Sequence, residues 1–337
     1  MQTGDASLPE TERTDDAGES CAVSVIIVNW NTREMTLECL RSLYAETTET
    51  PFEVLLVDNG SHDGSAQAFA AEFPAERYPN LRILAEPTNH GFAVANNIAA
   101  RVARGRRLLL LNSDTVVLDH AIDRLLAFAD ARPAARIWGG RTLFGDHSFN
   151  FASCWGRQTL WSVFCFTFGL CMMFPRLNFF NPEGMTGWKR DSVREVDIVS
   201  GCFLLIDADL WRRLDGFHPV FFMYGEEADL CLRAHRLGAR PIITPAATII
   251  HYGGGSAVTR ADPKIRVLRA KIALARRNMN GASAELVRWL YLVAVVLRAA
   301  GYGTLARLRG KGSGANLAWV ETLARRNEWF SRASALL

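Results

Sequence analysis

The chain of 337 residues is predicted to be an α/β protein with a mostly parallel sheet. Two observations predict it. Short β-branched or leucine-rich runs alternate with segments whose apolar residues recur at helical spacing. Polar clusters follow several of those runs, at the carboxyl ends where such sheets hold ligands.

Residues 23–28 are a β-branched run and read as a buried first strand. Residues 32–44 follow with Met35, Leu37, Leu40, Leu43 and Tyr44 at helical spacing. Residues 53–57 form a second strand, 66–73 a helix and 81–84 a third strand. Residues 91–103 are a small-residue helix, 107–111 a fourth strand, and 119–129 a helix stopped before Pro133. Residues 151–190 break the alternation. Within them, 159–174 are uncharged and rich in aromatics, yet shorter than the ~20 residues a spanning helix needs. An interfacial helix, a lid and core all fit that composition. Strands then resume at 195–200 and 201–207, followed by a helix at 208–214. Residues 226–237 read as a helix with three acids in its first turn and Gly238 at its end. Residues 241–251 close the core as its last strand. Beyond residue 262 the sequence turns to basic, amphipathic helix. Its apolar run 289–297 is again too short to span, and it suits an anionic membrane face.

Composition narrows the function. At 49% hydrophobic and 22% charged, the chain has enough apolar material for one large domain plus an appendage. The formal charge of +3 does not argue for nucleic acid. Seven scattered cysteines without a CxxC pair argue against both a zinc knuckle and a disulfide framework, which points to a reducing cytoplasm. The acidic, polar stretch 1–21 reads as a disordered tail and lacks the apolar core of a secretory signal. After the first strand the sequence runs Val28-Asn29-Trp30-Asn31-Thr32. A dinucleotide fold would place GxGxxG there and a P-loop GxxxxGK[ST]. A nucleotide here would therefore be gripped by side chains and a metal.

The polar clusters carry the chemistry. Asn29 and Asn31 follow the first strand, Asp58 the second, and Asn112-Ser113-Asp114 the fourth. Asp114 suits Mg²⁺ or Mn²⁺, which takes further oxygens from a substrate diphosphate; a helix N-cap is the plain alternative. Asp58 could hold a nucleobase or ribose, or simply close an Asx-turn. Glu226, Glu227 and Asp229 crowd one helix start. Like charges that close raise one another's pKa values, which suits a general base, and a favourable acidic first turn is the bland reading. His251 precedes a glycine run at a strand end and is a metal candidate. Together these features point to an enzyme acting on a metal-bound phosphate ester.

The motifs Val23-Ser24-Val25-Ile26-Ile27-Val28-Asn29-Trp30-Asn31, Val57-Asp58-Asn59-Gly60-Ser61, Asn89-His90-Gly91-Phe92, Leu111-Asn112-Ser113-Asp114, Ser200-Gly201-Cys202, Gly216-Phe217 and Tyr224-Gly225-Glu226-Glu227-Ala228-Asp229 stand in this order, with His251 after them. Jointly they resemble glycosyltransferase family 2, the inverting enzymes of GT-A fold, and among them the rhamnosyltransferase-like members. The resemblance covers about residues 22–260, with residues 261–337 as a helical appendage. It implies a GT-A type, Rossmann-like sheet. It implies donor binding by Asn29, Asn31, Asp58, Asn89, Gly91 and Asn112, metal binding by Asp114 and His251, and acceptor contact by Gly201, Phe217 and Asp229. The family's base is usually the Asp of a Glu-Asp pair; that position is Glu227 here, one methylene longer, with Glu226 and Asp229 as alternatives. The Gly-Gly-Phe-Asp turn of the family is Asp215-Gly216-Phe217-His218 here. The expected reaction moves rhamnose or a hexose from dTDP-rhamnose or a UDP-hexose to a glycan or lipid-linked acceptor, with Mg²⁺ or Mn²⁺. It would take place in the cytoplasm, peripherally on the inner face of the cell membrane, as part of envelope polysaccharide synthesis. An inactive sugar-nucleotide-binding scaffold, a nucleotidyltransferase and a membrane-associated interaction module are the rival readings.

Overall fold

The computed structural model describes residues 21–253, 261–309 and 314–331. The expected acidic tail and the glycine run Gly254-Gly255-Ser256 lie outside the described residues.

Four strands begin the sheet: β1 (Val23–Asn29), β2 (Phe52–Asn59), β3 (Leu81–Glu86) and β4 (Arg107–Asn112). They lie parallel in the order β3-β2-β1-β4. Helices α1 (Arg33–Glu46), α2 (Ser65–Glu72) and α3 (Phe92–Arg101) make the crossovers. Both faces of the sheet are covered, so the strands are apolar on both sides. Strand period sorts their side chains. Leu108 and Leu110 of β4 join one core cluster, and Leu109 and Leu111 the other.

Beyond β4 the sheet becomes mixed. β5 (Thr115–Val117), α4 (Ala121–Ala131) and β6 (Ile137–Leu143) follow, then the two-residue strands β7 (Phe149–Asn150), β8 (Cys154–Trp155), β9 (Arg194–Glu195) and β10 (Ile198–Val199). β11 (Phe203–Asp207) runs antiparallel between β4 and β6, and β12 (Ile242–His251) lies parallel to β6. β5 pairs antiparallel with the end of β12, placing Thr115 opposite His251. That pairing brings the Asp114 turn to the end of the last strand. Local pattern hides β6: Gly139 and Gly140 give it poor strand propensity. Both are needed, since a Cβ on Gly140 would lie 2.4 Å from the Ala247 carbonyl oxygen. Pro245 breaks the register of β12 between Ile243 and Thr248.

The atypical segment after β8 folds as α5 (Leu160–Thr167) and α6 (Leu170–Met173). A capping box between Thr159 and Ser162 starts α5. After β11 come α7 (Ala208–Arg213) and α8 (Glu226–Arg236), and after β12 come α9 (Asp262–Asn278), α10 (Gly281–Arg309) and α11 (Gly314–Ala324). A third apolar cluster joins Val163 of α5 to Ile265, Leu268 and Ile272 of α9 and to Val287, Tyr291 and Val295 of α10. Among the described residues no helix is long and apolar enough to cross a membrane. All seven cysteines are free thiols.

Candidate active site

The carboxyl ends of β1 and β4, the start of α8 and the end of β12 open onto one cavity of about 940 Å³. Segment 151–190 and helices α9 and α10 wall its far side.

Asp114 and His251 meet there. Their side chains approach to 3.4 Å between Oδ1 and Nε2. The Gly253 amide donates to Asp114 Oδ2 at 3.0 Å, and the Tyr252 amide donates to the Asp114 carbonyl. Burial pushes the Asp114 carboxyl up, but the hydrogen bonds from His251 and Gly253 outweigh it and hold it below the usual carboxylate range. It is therefore an anion at neutral pH. Asn112 Nδ2 lies 3.3 Å from His251 Nε2, while Asn112 Oδ1 and His251 Nδ1 are buried without a partner. Among the described residues no group of three or more His, Cys, Asp or Glu side chains could enclose a metal ion. A two-ligand site of this kind fits a hard divalent cation that completes its shell with water and substrate phosphates.

Glu226 and Glu227 line the same cavity. Tyr224 and Gly225 both adopt positive φ, at 71° and 90°. The tight turn they make starts α8 abruptly, so its first-turn carboxylates face inward. Glu226 is only 4% exposed. The Oε2 atoms of both glutamates are buried without a partner. Burial and the charge of Glu227 push the Glu226 carboxyl well above its ordinary range. Burial also raises Glu227, opposed by backbone amides at the helix start. A Cβ on Gly201 would meet Phe92 at 3.4 Å and Glu227 Cβ at 3.8 Å, which places Gly201 beside the acid.

The other expected site residues divide. Asn89, Asn112 and Gly201 line the cavity. Asn29 and Asp58 lie beneath its floor, paired by an Asn29 Nδ2 to Asp58 Oδ1 hydrogen bond of 3.0 Å. Asn29 Oδ1 also accepts from Thr32 and Thr36. Asn31 has φ 53° and holds the loop after β2, its Oδ1 accepting from the His62 amide. Gly91 is a backbone requirement: φ is +81°, and a Cβ would lie 2.5 Å from the Phe222 carbonyl oxygen. Gly91→Ala is expected to cost about 1–3 kcal/mol, read as a lowered melting temperature.

Two expected acceptor contacts sit elsewhere. Phe217 is fully buried against Trp211 and Phe92. Asp229 is 1% exposed, and its carboxylate accepts from Arg233 at 2.7 Å and from Arg277 at 2.8 Å. Burial opposes its charge, but the two guanidinium groups outweigh that and lower its pKa. Its place is as a clamp between α8 and α9, and a base role does not suit an acid so fully engaged. Removing it deprives two arginines of their carboxylate, though Arg233 keeps the Leu214 and Gly216 carbonyls, so Asp229→Ala is expected to destabilise the fold by about 1.5–3 kcal/mol in thermal or urea unfolding. Sequence reasoning missed Trp30, Tyr224 and the Glu183–Lys271 ion pair, all on the cavity wall. Lys271 sits in a helix whose basic pattern reads as surface, and only the folding-back of segment 151–190 gives it a partner.

Comparison with known proteins decides the family. The model described as Glycosyl transferase family 2 matches residues 24–197, more than half of the chain. The chain belongs to glycosyl transferase family 2. Its glycosyltransferase activity and GT-A fold follow from that membership and from the architecture above. It is 28% identical over 270 residues to the N-acetylglucosaminyl-diphospho-decaprenol L-rhamnosyltransferase of Mycobacterium tuberculosis, covering 74% of this chain and 83% of that one. It is 30% identical over 243 residues to the O-antigen biosynthesis protein RfbC of Myxococcus xanthus, spanning 71% of this chain and 18% of that protein. The mannosyltransferase PcManGT of Pyrobaculum calidifontis, solved with GDP-Man and Mn²⁺, shares the fold at a TM-score of 0.57 and 20% identity, with 91% of this chain and 87% of that one covered. TarS 1-349 of S. aureus, solved with UDP-GlcNAc, shares it at a TM-score of 0.52 and 17% identity, with 93% and 82% covered.

Proposed function

We propose that this glycosyltransferase inverts the anomeric centre as it moves rhamnose or a hexose from a nucleotide-diphosphate donor to a glycan or lipid-linked acceptor. One observation carries the reading. Two glutamates with buried, unpartnered oxygens face the same cavity as the Asp114–His251 pair. Asp114 and His251 would hold Mg²⁺ or Mn²⁺, which when bound neutralises charge on the departing diphosphate. Asn89 and Asn112 line the donor side, and Asn29 and Asp58 set its floor. Glu227 removes the proton from the acceptor hydroxyl, and the freed oxygen attacks the anomeric carbon on the face opposite the diphosphate. Burial and the charge of Glu227 favour the protonated form of Glu226 beside it. The likeness to an L-rhamnosyltransferase supports rhamnose as the sugar, and dTDP-rhamnose is the donor we place first. Membership of envelope polysaccharide synthesis and a peripheral place on the inner face of the cell membrane fit such an acceptor.

The test is a thermal-shift panel of nucleotide sugars with and without Mn²⁺, followed by product analysis. dTDP-rhamnose or a UDP-hexose should raise the melting temperature in the presence of Mn²⁺, and turnover should release the nucleoside diphosphate. Release of pyrophosphate would instead establish a nucleotidyltransferase.

A further inference from the structure

The insertion that walls the cavity also has an outward face, and that face is unusually apolar. Trp161 and Phe164 of α5 and its C-cap residue Phe168 are exposed at positions one turn apart. Met172 and Met173 of α6 are 68% and 67% exposed, and Leu177 and Phe179 follow, the latter at 67%. Soluble surfaces scatter such residues singly; a contiguous run marks an interaction site. α10 packs on α5, and its own exposed residues Leu286, Trp289, Val293, Val296 and Leu297 recur at helical spacing.

Charge and polarity identify the occupant. Within residues 151–190 the single carboxylate is Glu183, and it is paired with Lys271 inside the cavity wall. Arg176 and Lys189 of the same segment are exposed. The segment's own outward charges are thus cationic, and the exposed acid Asp191 comes only after its end. The polar atoms that must enter an apolar phase are already served. The Trp161 indole N–H donates to the Phe179 carbonyl at 2.7 Å, and the Asn181 amide group donates to the Cys171 carbonyl at 2.8 Å. Three arginines of the C-terminal region, by contrast, are committed internally. Arg288 bonds Glu285 and the Phe330 carbonyl, Arg298 the Phe166 carbonyl, and Arg325 bonds Asp262 and Glu328. They fasten helices together, and a purely electrostatic contact through them is not what this surface offers.

We infer that the outward face of α5, α6 and residues 174–179 inserts its aromatic and methionine side chains into an anionic lipid bilayer. Phe166 and Phe180 of the same segment line the cavity. The membrane-facing surface and the acceptor end of the cavity are therefore two sides of one wall. The inference deepens the proposed reaction by placing its acceptor end at the lipid surface, but it stands on the surface alone.

The test is flotation of the full chain with vesicles of phosphatidylglycerol and phosphatidylcholine, and with phosphatidylcholine alone. Binding to the anionic vesicles is expected to persist at about 1 M NaCl, where charges are screened beyond about 3 Å. The variant F168S/M172S/M173S/F179S, at exposed positions outside the catalytic groups, should lose roughly tenfold or more of that binding. Its melting temperature and its thermal response to nucleotide sugars with Mn²⁺ should match those of the parent. Parent protein that stays in solution, or release by salt alone, overturns the inference. So does equal binding by the variant. A parent dimer that the variant converts to monomer, with no vesicle binding by either, makes this face a contact between copies instead. Failure of the donor panel with intact flotation would strike the transferase reading and leave this one standing.

Discussion

Replacing Glu227 with Gln is expected to lower turnover by roughly 10²- to 10⁴-fold, the range a positioned general base supplies. Gln keeps the shape and removes the acceptor of the proton. Donor binding, measured by thermal shift with Mn²⁺, should be unchanged, because Glu227 stands apart from the Asp114–His251 pair in the proposed roles. Glu226→Gln is the informative contrast. A neutral amide resembles the protonated form that burial and the Glu227 charge favour at Glu226, so a loss of less than about tenfold is expected. If Glu226→Gln costs as much as Glu227→Gln, the assignment of the base to Glu227 fails.

The same carboxyl pair sets the pH response. Both pKa values are raised, by burial first. A base must be ionised, so activity should fall on the acid side at a pH above the ordinary Glu value of about 4.3. The stability sign is opposite. A carboxyl raised in the folded state binds its proton more tightly there than in the unfolded chain. Its contribution is full at low pH and is lost as pH rises through the folded-state value. Glu226→Gln should therefore lessen the decline of stability with rising pH, which melting temperatures followed upward from the ordinary Glu value of about 4.3 would show. The two limbs are separable, since one is read in rate and the other in unfolding.

Much of this arrangement was legible in the sequence, and the reasons are specific. β1, β2 and β4 carry unbroken apolar runs at residues 25–28, 54–57 and 108–111 because both faces of a parallel sheet are covered, so those runs stand out. The polar residues that end them mark the ligand side. The acidic start of α8 was equally plain, being three carboxylates in one turn after Tyr224-Gly225. What escaped depended on distant partners. β6 carries Gly139 and Gly140 because Val199, Phe203 and Ala247 press on it, and no local pattern announces that. Asp229 looked like its neighbours Glu226 and Glu227, yet Arg277, 48 residues on, takes its carboxylate. Phe217 sits in a motif of acceptor-side residues but turns inward onto Trp211. The exposed aromatics of α5 fitted lid, core or interface until the fold put Val163 and Thr167 inward and Phe164 and Phe168 outward.

Asp114→Asn is expected to abolish the Mn²⁺-dependent part of donor binding. The replacement is nearly isosteric and can still accept the Gly253 amide hydrogen that Asp114 Oδ2 now accepts. The fold should therefore survive, with an unchanged circular dichroism spectrum. The charge is what disappears. In a two-ligand site, His251 alone supplies no anion, and a hard cation depends on carboxylate and phosphate oxygen. The loss of affinity for Mn²⁺, followed by calorimetry without donor and then with nucleoside diphosphate, should exceed the roughly 10- to 100-fold typical of removing an outer partner of a metal ligand. Chelation of the parent protein should reproduce the variant's donor affinity, and added Mn²⁺ should restore the parent but not the variant. Should Asp114→Asn bind donor and Mn²⁺ as the parent does, the cation would have to be held elsewhere. The Asp114–His251 contact would then be a structural tie between β5 and β12, and the donor diphosphate would need its charge met by another group of the cavity.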